Sequence, residues 1–297
     1  MSIKQKIIIS IGGITVVSFV IIAIVTMMQF DSVNYNYEMK YAQSISSSIE
    51  TNRATEMEKT VVAVNSIANN QQIQTLFYRR DREGLFKLLS PIYESIKGDV
   101  AQFQFHLPDS TSFLRMHQPK KFGDSLASFR ETVNYTNKSK QAAMGIEEGI
   151  AGYGLRVVVP VLYNGEHIGS VEYGNDFGNK YVQSVKKEYS AECFLYRYPA
   201  ITETDKIKNM LAGTQSADKI VVEESAIAKI SAGKPIYEIT KDKQYGVLLI
   251  PNRDFKNQIT SYTKVIFDRS DIIAANNSAF TKLALILFVS LLVLILA

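Results

Sequence analysis

Uncharged apolar runs stand at both ends of the chain. From Ile7 to Met28 there is no charged residue and Ile and Val dominate, which meets the requirement of about 20 apolar residues for a helix crossing a bilayer. A removable signal peptide has a shorter apolar core of about 7 to 15 residues followed by a small-residue cleavage site. The stretch Met27-Met28-Gln29-Phe30 does not supply such a site. After Lys282 the chain reads LALILFVSLLVLILA up to Ala297, again without charge. These runs predict two membrane-spanning helices, residues 7–28 and 283–297, the second truncated within its span. Lys4 and Lys6 ahead of the first run predict a cytoplasmic N-terminus by the positive-inside rule, with Phe30 to Thr281 outside the cytoplasm.

Between the runs the hydrophobic period changes. Asp31 to about Thr75 contains no Pro or Gly and is rich in Glu, Ser, Ala, Met and Lys, the profile of a long exposed helix. Its narrow apolar face runs through Tyr41, Ile45 and Ile49, then Met57, Val61, Val64 and Ala68. A connecting helix follows in DREGLFKLLSPIYESIKGD, with Leu85, Leu88, Leu89, Ile92 and Ile96 inward and a stop at Gly98. Period two then takes over. Phe103, Phe105 and Leu107 alternate with Gln102, Gln104 and His106, and Leu114 and Met116 alternate with Phe113, Arg115 and His117. A second strand pair, GLRVVVPVLY and HIGSVEYG, is joined by Asn164-Gly165, a hairpin signal. Lys120 to Gly152 reads as a helical or irregular excursion. A helix from Phe177 to Val185 leads to a second round: the strand AECFLYRY, a short helix, two strands around Lys241 to Lys243, and a strand from Ile259 to Phe267. The whole is an α+β arrangement, antiparallel sheets with helices outside.

Composition narrows the setting. Cys193 is the only cysteine, so no intrachain disulfide exists, and a bacterial surface fits better than a eukaryotic secreted one. The net charge of +4 is small and dispersed, which argues against nucleic-acid binding. Asn134, Asn137 and Asn276 open N-x-S/T triplets of a kind common by chance.

FHLPDSTSFLRMHQPKKFGDSL, the SFR ending at Arg130, and GIEEGIAGYGLRVVVPVLYNGEHIGSVEYG resemble the double Cache sensory domains of bacterial chemoreceptors, sensor kinases and cyclases, in particular the third double Cache type. The resemblance covers nearly all of the chain between the spans. It implies a long N-terminal helix and connecting helix over residues 31–98, a membrane-distal PAS-like module over 99–185 and a membrane-proximal one over 186–275. It also implies a homodimeric receptor in the bacterial cytoplasmic membrane, with no cofactor and no catalysis of its own. The output domain, absent from this chain, is expected to serve chemotaxis, then a kinase, then a cyclase. The proximal module lacks a comparably dense set of polar residues on its strands, which places ligand binding in the distal one.

There, Arg115 and His117 share a strand face, Arg130 follows the GDSL turn, Arg156 opens a strand and Glu172 lies on its hairpin partner. Converging guanidinium groups need anions when buried, and a carboxylate or amino-acid-like ligand meets that need with bidentate hydrogen bonds. The competing reading pairs Arg115, Arg130 and Arg156 with Asp124, Glu147 and Glu172 inside the protein. Tyr135, Asn137, His106 and Tyr153 are candidate further contacts. His106 and His117 with Glu147 or Glu172 offer metal-ligand types, so a metal sensor is an alternative, as is a reader of a periplasmic partner protein. Gly149, Gly152 and Gly154 do not fit a phosphate loop and read as turn residues. The GDSL around Ser125 lacks a C-terminal histidine partner of the kind a hydrolase needs, the last histidine being His167.

Overall fold

The computed structural model describes residues 3–149, 152–200, 202, 205 and 208–296. Helix α1 runs as one piece over Ile3–Ala68. It stops at Ala68 instead of about Thr75 because Asn70 starts a new helix, α2 (Gln71–Tyr78), its side chain accepting from the backbone N–H groups of Gln72 and Ile73 at 3.0 and 3.1 Å. Asp81 caps α3 (Arg82–Ile96) in the same way, through Gly84 N–H at 2.9 Å.

The next elements are β1 (Gln102–His106), β2 (Ser112–Arg115), α4 (Glu131–Ser139), β3 (Ala143–Gly149), β4 (Gly152–Tyr163) and β5 (Glu166–Asp176). After them come α5 (Asn179–Tyr189), β6 (Glu192–Arg197), β7 (Met210–Gly213), α6 (Glu224–Lys229), β8 (Ile236–Ile239), β9 (Tyr245–Arg253), β10 (Ile259–Asp268) and α7 (Ser270–Leu296). The described strands form two antiparallel five-stranded sheets, ordered β2-β1-β5-β4-β3 and β7-β6-β10-β9-β8. The β4–β5 turn has Asn164 at φ 50° and Gly165 at φ 83°, the paired positive values of a type I′ hairpin.

Two strands escape the sequence pattern. β3 lies inside the stretch expected to be helical or irregular. Its AMGIEEG sequence lacks a β-branched run, and pairing with β4 along its whole length makes it a strand. β7 is likewise defined by pairing with β6. Tyr41 and Ile92, expected inward, are exposed. Ala42 and Ser46 complete the α1 face beside Ile45 and Ile49, and Tyr93 takes the place of Ile92.

By contacts the chain divides into two compact units. The larger comprises Ile45–Ile236 and Leu248–Ile266. In it, one face of the first sheet carries Phe103, Phe105, Leu114, Val157, Val159 and Val171, packed on Val64, Ile73, Phe77, Leu85 and Leu89 of α1 to α3. The Phe77 and Phe105 rings meet edge to face at 5.2 Å. Gly169 makes this closeness possible. Its φ is +141°, and a Cβ there would stand 2.2 Å from the His106 carbonyl and 2.7 Å from the Phe77 ring.

The smaller unit comprises Met1–Ser44, Tyr237–Val247 and Phe267–Ala297. Arg269 donates to both carboxylate oxygens of Glu38, at 2.6 and 3.1 Å, with both side chains buried. Asn34 donates to Asn276 at 2.8 Å, and the Phe30 and Phe280 rings lie 6.0 Å apart. Both α1, in its N-terminal part, and α7 are long and apolar enough to cross a membrane, and those segments are unburied.

Candidate functional site

Period two sends one side of each strand to the apolar core and the other to the opposite face of the first sheet. That opposite face receives Gln104, His106, Arg156, Ser170 and Glu172, all buried. Helix α4 covers it through buried Thr132, Val133, Thr136 and Asn137. Thr136 Oγ1 donates to the Val158 carbonyl at 3.3 Å, and Asn137 Nδ2 to the Leu107 carbonyl at 2.9 Å.

Glu172 stands at the centre, fully buried. Its Oε1 accepts from Arg130 Nη2 at 2.6 Å and from Arg156 Nη1 at 2.9 Å, and its Oε2 accepts from Gln104 Nε2 at 2.8 Å. His106 Nε2 lies 3.4 Å from the same Oε2. Glu147 takes Arg130 Nε at 2.8 Å, with Thr132 giving its hydroxyl at 2.8 Å and its N–H at 2.7 Å. Arg156 also donates to Gln102 Oε1. Arg115 forms a bidentate pair with Asp124 at 2.6 and 2.8 Å and donates to the Lys121 carbonyl at 2.9 Å. Room for the Arg156 guanidinium comes from missing side chains, since a Cβ on Gly149 would lie 2.3 Å from its Nη2 and one on Gly154 3.3 Å from its Cζ. Those two glycines, expected to be turn residues, are spacers in strands.

Electrostatics follow from this packing. Burial pushes the Glu172 carboxyl up, but Arg130, the neighbouring His106 and Arg156 together hold it well below the usual carboxylate range. Burial lowers the His106 imidazole against the opposing pull of Glu172, and burial also lowers His117. The hydrogen bond from Arg115 lowers Asp124. Three guanidinium groups therefore face three carboxylates. The expectation that they require an exogenous anion is corrected: Asp124, Glu147 and Glu172 already neutralise them.

A cavity of about 130 Å³ remains beside this network. Arg115, His117, Arg130 and Arg156 line it, with Gln102, Gln104, Lys121, Leu126 and Phe129. His117 lies just beyond β2, and its Nδ1 is buried with no hydrogen-bond partner. Glu147 and Glu172 sit behind the guanidinium groups and do not line the cavity. Tyr135 and Tyr153 are elsewhere. Tyr135 is exposed on α4, and Tyr153 lines a separate cleft, its hydroxyl donating to the Thr260 carbonyl at 3.3 Å. Gln102 and Gln104 were findable, because alternation places them on the His106 face. Leu126 and Phe129 had no such signal, since a loop carries them.

His106 reaches Glu172, but among the described residues no three His, Cys, Asp or Glu side chains gather to hold an ion. The second sheet is more polar than expected. Lys264 is buried there and pairs with Asp218 at 2.6 Å, which also accepts from the Tyr196 hydroxyl at 2.8 Å.

Comparison with known proteins places this architecture. The model of the double sensory domain of two-component sensor kinases, the third double Cache type, matches residues 39–237. No curated protein matches the sequence. The extracellular domain of the putative histidine kinase vpHK1S-Z8 is similar in fold, 14% identical over 79% of this chain and 94% of its own, with a TM-score of 0.51. The Vibrio cholerae DctB histidine kinase sensor domain is 11% identical over 79% of this chain and 98% of its own, at a TM-score of 0.51. The sensory domain of the Campylobacter jejuni chemoreceptor Tlp3, solved with isoleucine bound, is 14% identical over 84% and 98%, at a TM-score of 0.50. With two antiparallel five-stranded sheets behind a long N-terminal helix and a family match over most of its length, the chain belongs to the double Cache sensory domain family.

Proposed function

We propose that this chain is the extracytoplasmic input region of a homodimeric bacterial transmembrane receptor, non-catalytic and anchored by α1 and α7. Residues 99–185 form its membrane-distal module and 186–275 its proximal one. The observation that carries the reading is the cavity of about 130 Å³ beside the Arg130–Glu172–Arg156 network. Since that network is internally neutral, the fitting ligand is a small amino-acid-like zwitterion rather than a bare anion. Arg115, Arg130 and Lys121 supply donors for its carboxylate, and the Gln102 and Gln104 amides offer acceptors for its ammonium. The isoleucine-bound chemoreceptor of similar fold supports the same class.

Ligand binding is read out as a displacement of α1 and the last strand of the second sheet, which moves one span against the other. The coupling this needs is of order 1 to 3 kcal/mol. Chemotaxis is the output we propose. The family's description as a sensor-kinase domain favours a kinase as the second reading.

The test is a thermal-shift titration of the full chain in lipid nanodiscs with amino acids and small carboxylates. Ligand at about 100 times its Kd adds about 2.7 kcal/mol of stability, and Arg115→Gln is expected to abolish the shift. A panel without any hit would overturn direct sensing in favour of a partner protein.

A further inference from the structure

The β9–β10 turn lies against the free edge of β3. Asp254 bridges to Ile146, and Phe255 N–H donates to the Ile146 carbonyl at 3.3 Å. This approach requires Gly145, at φ +151°, where a Cβ would stand 2.7 Å from the Phe255 backbone. Beside the contact opens a cleft of about 480 Å³ that adjoins the cavity, the two sharing Phe129 and Gly149 in their walls, while Glu147 lines the cleft only. Its walls include three aromatic rings, Phe129, Tyr153 and Phe255, and three further carboxylates, Glu131, Glu148 and Asp254.

These carboxylates differ in how they are neutralised. Glu131 pairs with Lys256 at 2.6 Å, and Glu148 with Arg197 at 2.5 Å, all four side chains being over 40% exposed. The single-contact Glu131–Lys256 pair contributes little at that exposure, whereas Arg197 holds Glu148 in a bidentate pair at 2.6 and 2.5 Å. Asp254 is half-buried and spends its Oδ1 on the N–H groups of Lys256 and Gln258, at 2.9 and 2.8 Å. Among the described residues no cation pairs with it. The carboxylates are too dispersed to ligate a bare metal ion. Aromatic faces around an unneutralised carboxylate instead suit an organic cation, whose charge is spread over alkyl groups and attracted by ring quadrupoles. Two of the rings already hold neighbouring cations, Lys256 Nζ standing 5.8 Å from the Phe255 centroid and Arg197 Cζ 5.8 Å from that of Tyr153.

We propose that this cleft between β3 and the β9–β10 turn is a second binding site, selective for small organic ammonium ions. It shares β3 with the cavity: Glu147 of that strand holds Arg130 and, with Ile146 and Glu148, lines the cleft. Occupancy of the cleft therefore bears on the strand that supports the cavity.

The experiment titrates the full chain in nanodiscs with tetramethylammonium chloride at constant ionic strength, with tert-butanol as the uncharged probe of similar size, and follows the unfolding temperature. A saturable rise with tetramethylammonium alone is expected. Asp254→Asn keeps the Oδ1 acceptor of the turn while removing the charge, and is expected to weaken the apparent affinity about tenfold. Glu131→Gln, at the exposed rim, is expected to weaken it less. Arg115→Gln, in the cavity, leaves it unchanged. No rise, an equal rise with tert-butanol, full affinity in Asp254→Asn, or loss in Arg115→Gln would each overturn the proposal. Loss in Arg115→Gln would put the ion in the cavity instead, and the other outcomes leave amino-acid binding there untouched.

Discussion

Glu172 is the residue on which the buried network turns, because it counters two guanidinium groups that are themselves buried. Replacing it with Gln keeps the shape and removes the charge, leaving Arg130 and Arg156 under-compensated. Breaking a buried pair from one side costs about 3 to 5 kcal/mol, so Glu172→Gln is expected to lower the urea midpoint by that equivalent at neutral pH. An unchanged midpoint would mean that the network is solvated. The histidines add a pH dependence of definite sign. Burial holds His106, His117 and His167 below their ordinary values, so below about pH 6.5 the unfolded chain takes up protons that the folded one refuses. Stability is then complete above that pH and falls on acidification toward the folded values. Glu172, also depressed, extends the loss to lower pH, from about 4.3 downward as it falls through its folded pKa. Denaturation midpoints between pH 7.5 and 5.5 are expected to fall, and His106→Gln to flatten the slope.

Elements are joined by close approaches that single side chains would block. Gly169 lets β5 pass the His106 carbonyl and the Phe77 ring. Gly169→Ala therefore meets both a strained φ and an occupied space, a change expected to cost about 1 to 3 kcal/mol, read as a lower melting temperature. A second junction ties α1 to the start of α7 through Glu38 and Arg269, the residue just before that helix. Glu38→Gln would leave the Arg269 guanidinium with a neutral acceptor, and is expected to destabilise this unit and alter signalling output without changing ligand affinity in the cavity. Calorimetry and an output assay on the same variant separate the two. At this scale the sequence was legible where its own period decides structure. The β4–β5 hairpin is written in Asn164-Gly165, whereas β3 and β7 exist only through the strands they pair with.

Topology belongs to the whole molecule, and its only cysteine makes it measurable. Burial drives the Cys193 thiol far above its ordinary pKa, so the native chain is expected to be silent to a membrane-impermeant maleimide. Asp109→Cys, in the exposed β1–β2 turn, is expected to label in intact cells. Labelling only after lysis would contradict an extracytoplasmic position.

By itself the sequence determined the two apolar helical runs, the polar helix that continues the first of them and the two hairpins of the first sheet, along with the family to which they belong. These are local properties: an uncharged run, a period of 3.6 or 2, a turn dipeptide. It also brought forward Arg115, Arg130 and Arg156 as the chemistry of that module. Only the tertiary structure decided what those arginines face. Arg130 finds Glu147 and Glu172 across separations of 17 and 42 residues, and which carboxylate meets which guanidinium depends on strand register and on how α4 closes over the sheet. Sequence spacing carries no trace of that choice. The same limit explains Tyr135 and Tyr153, polar aromatics near the cavity in sequence whose element faces turn them outward, and Asp254, whose place beside β3 follows from a turn of the second sheet reaching the first.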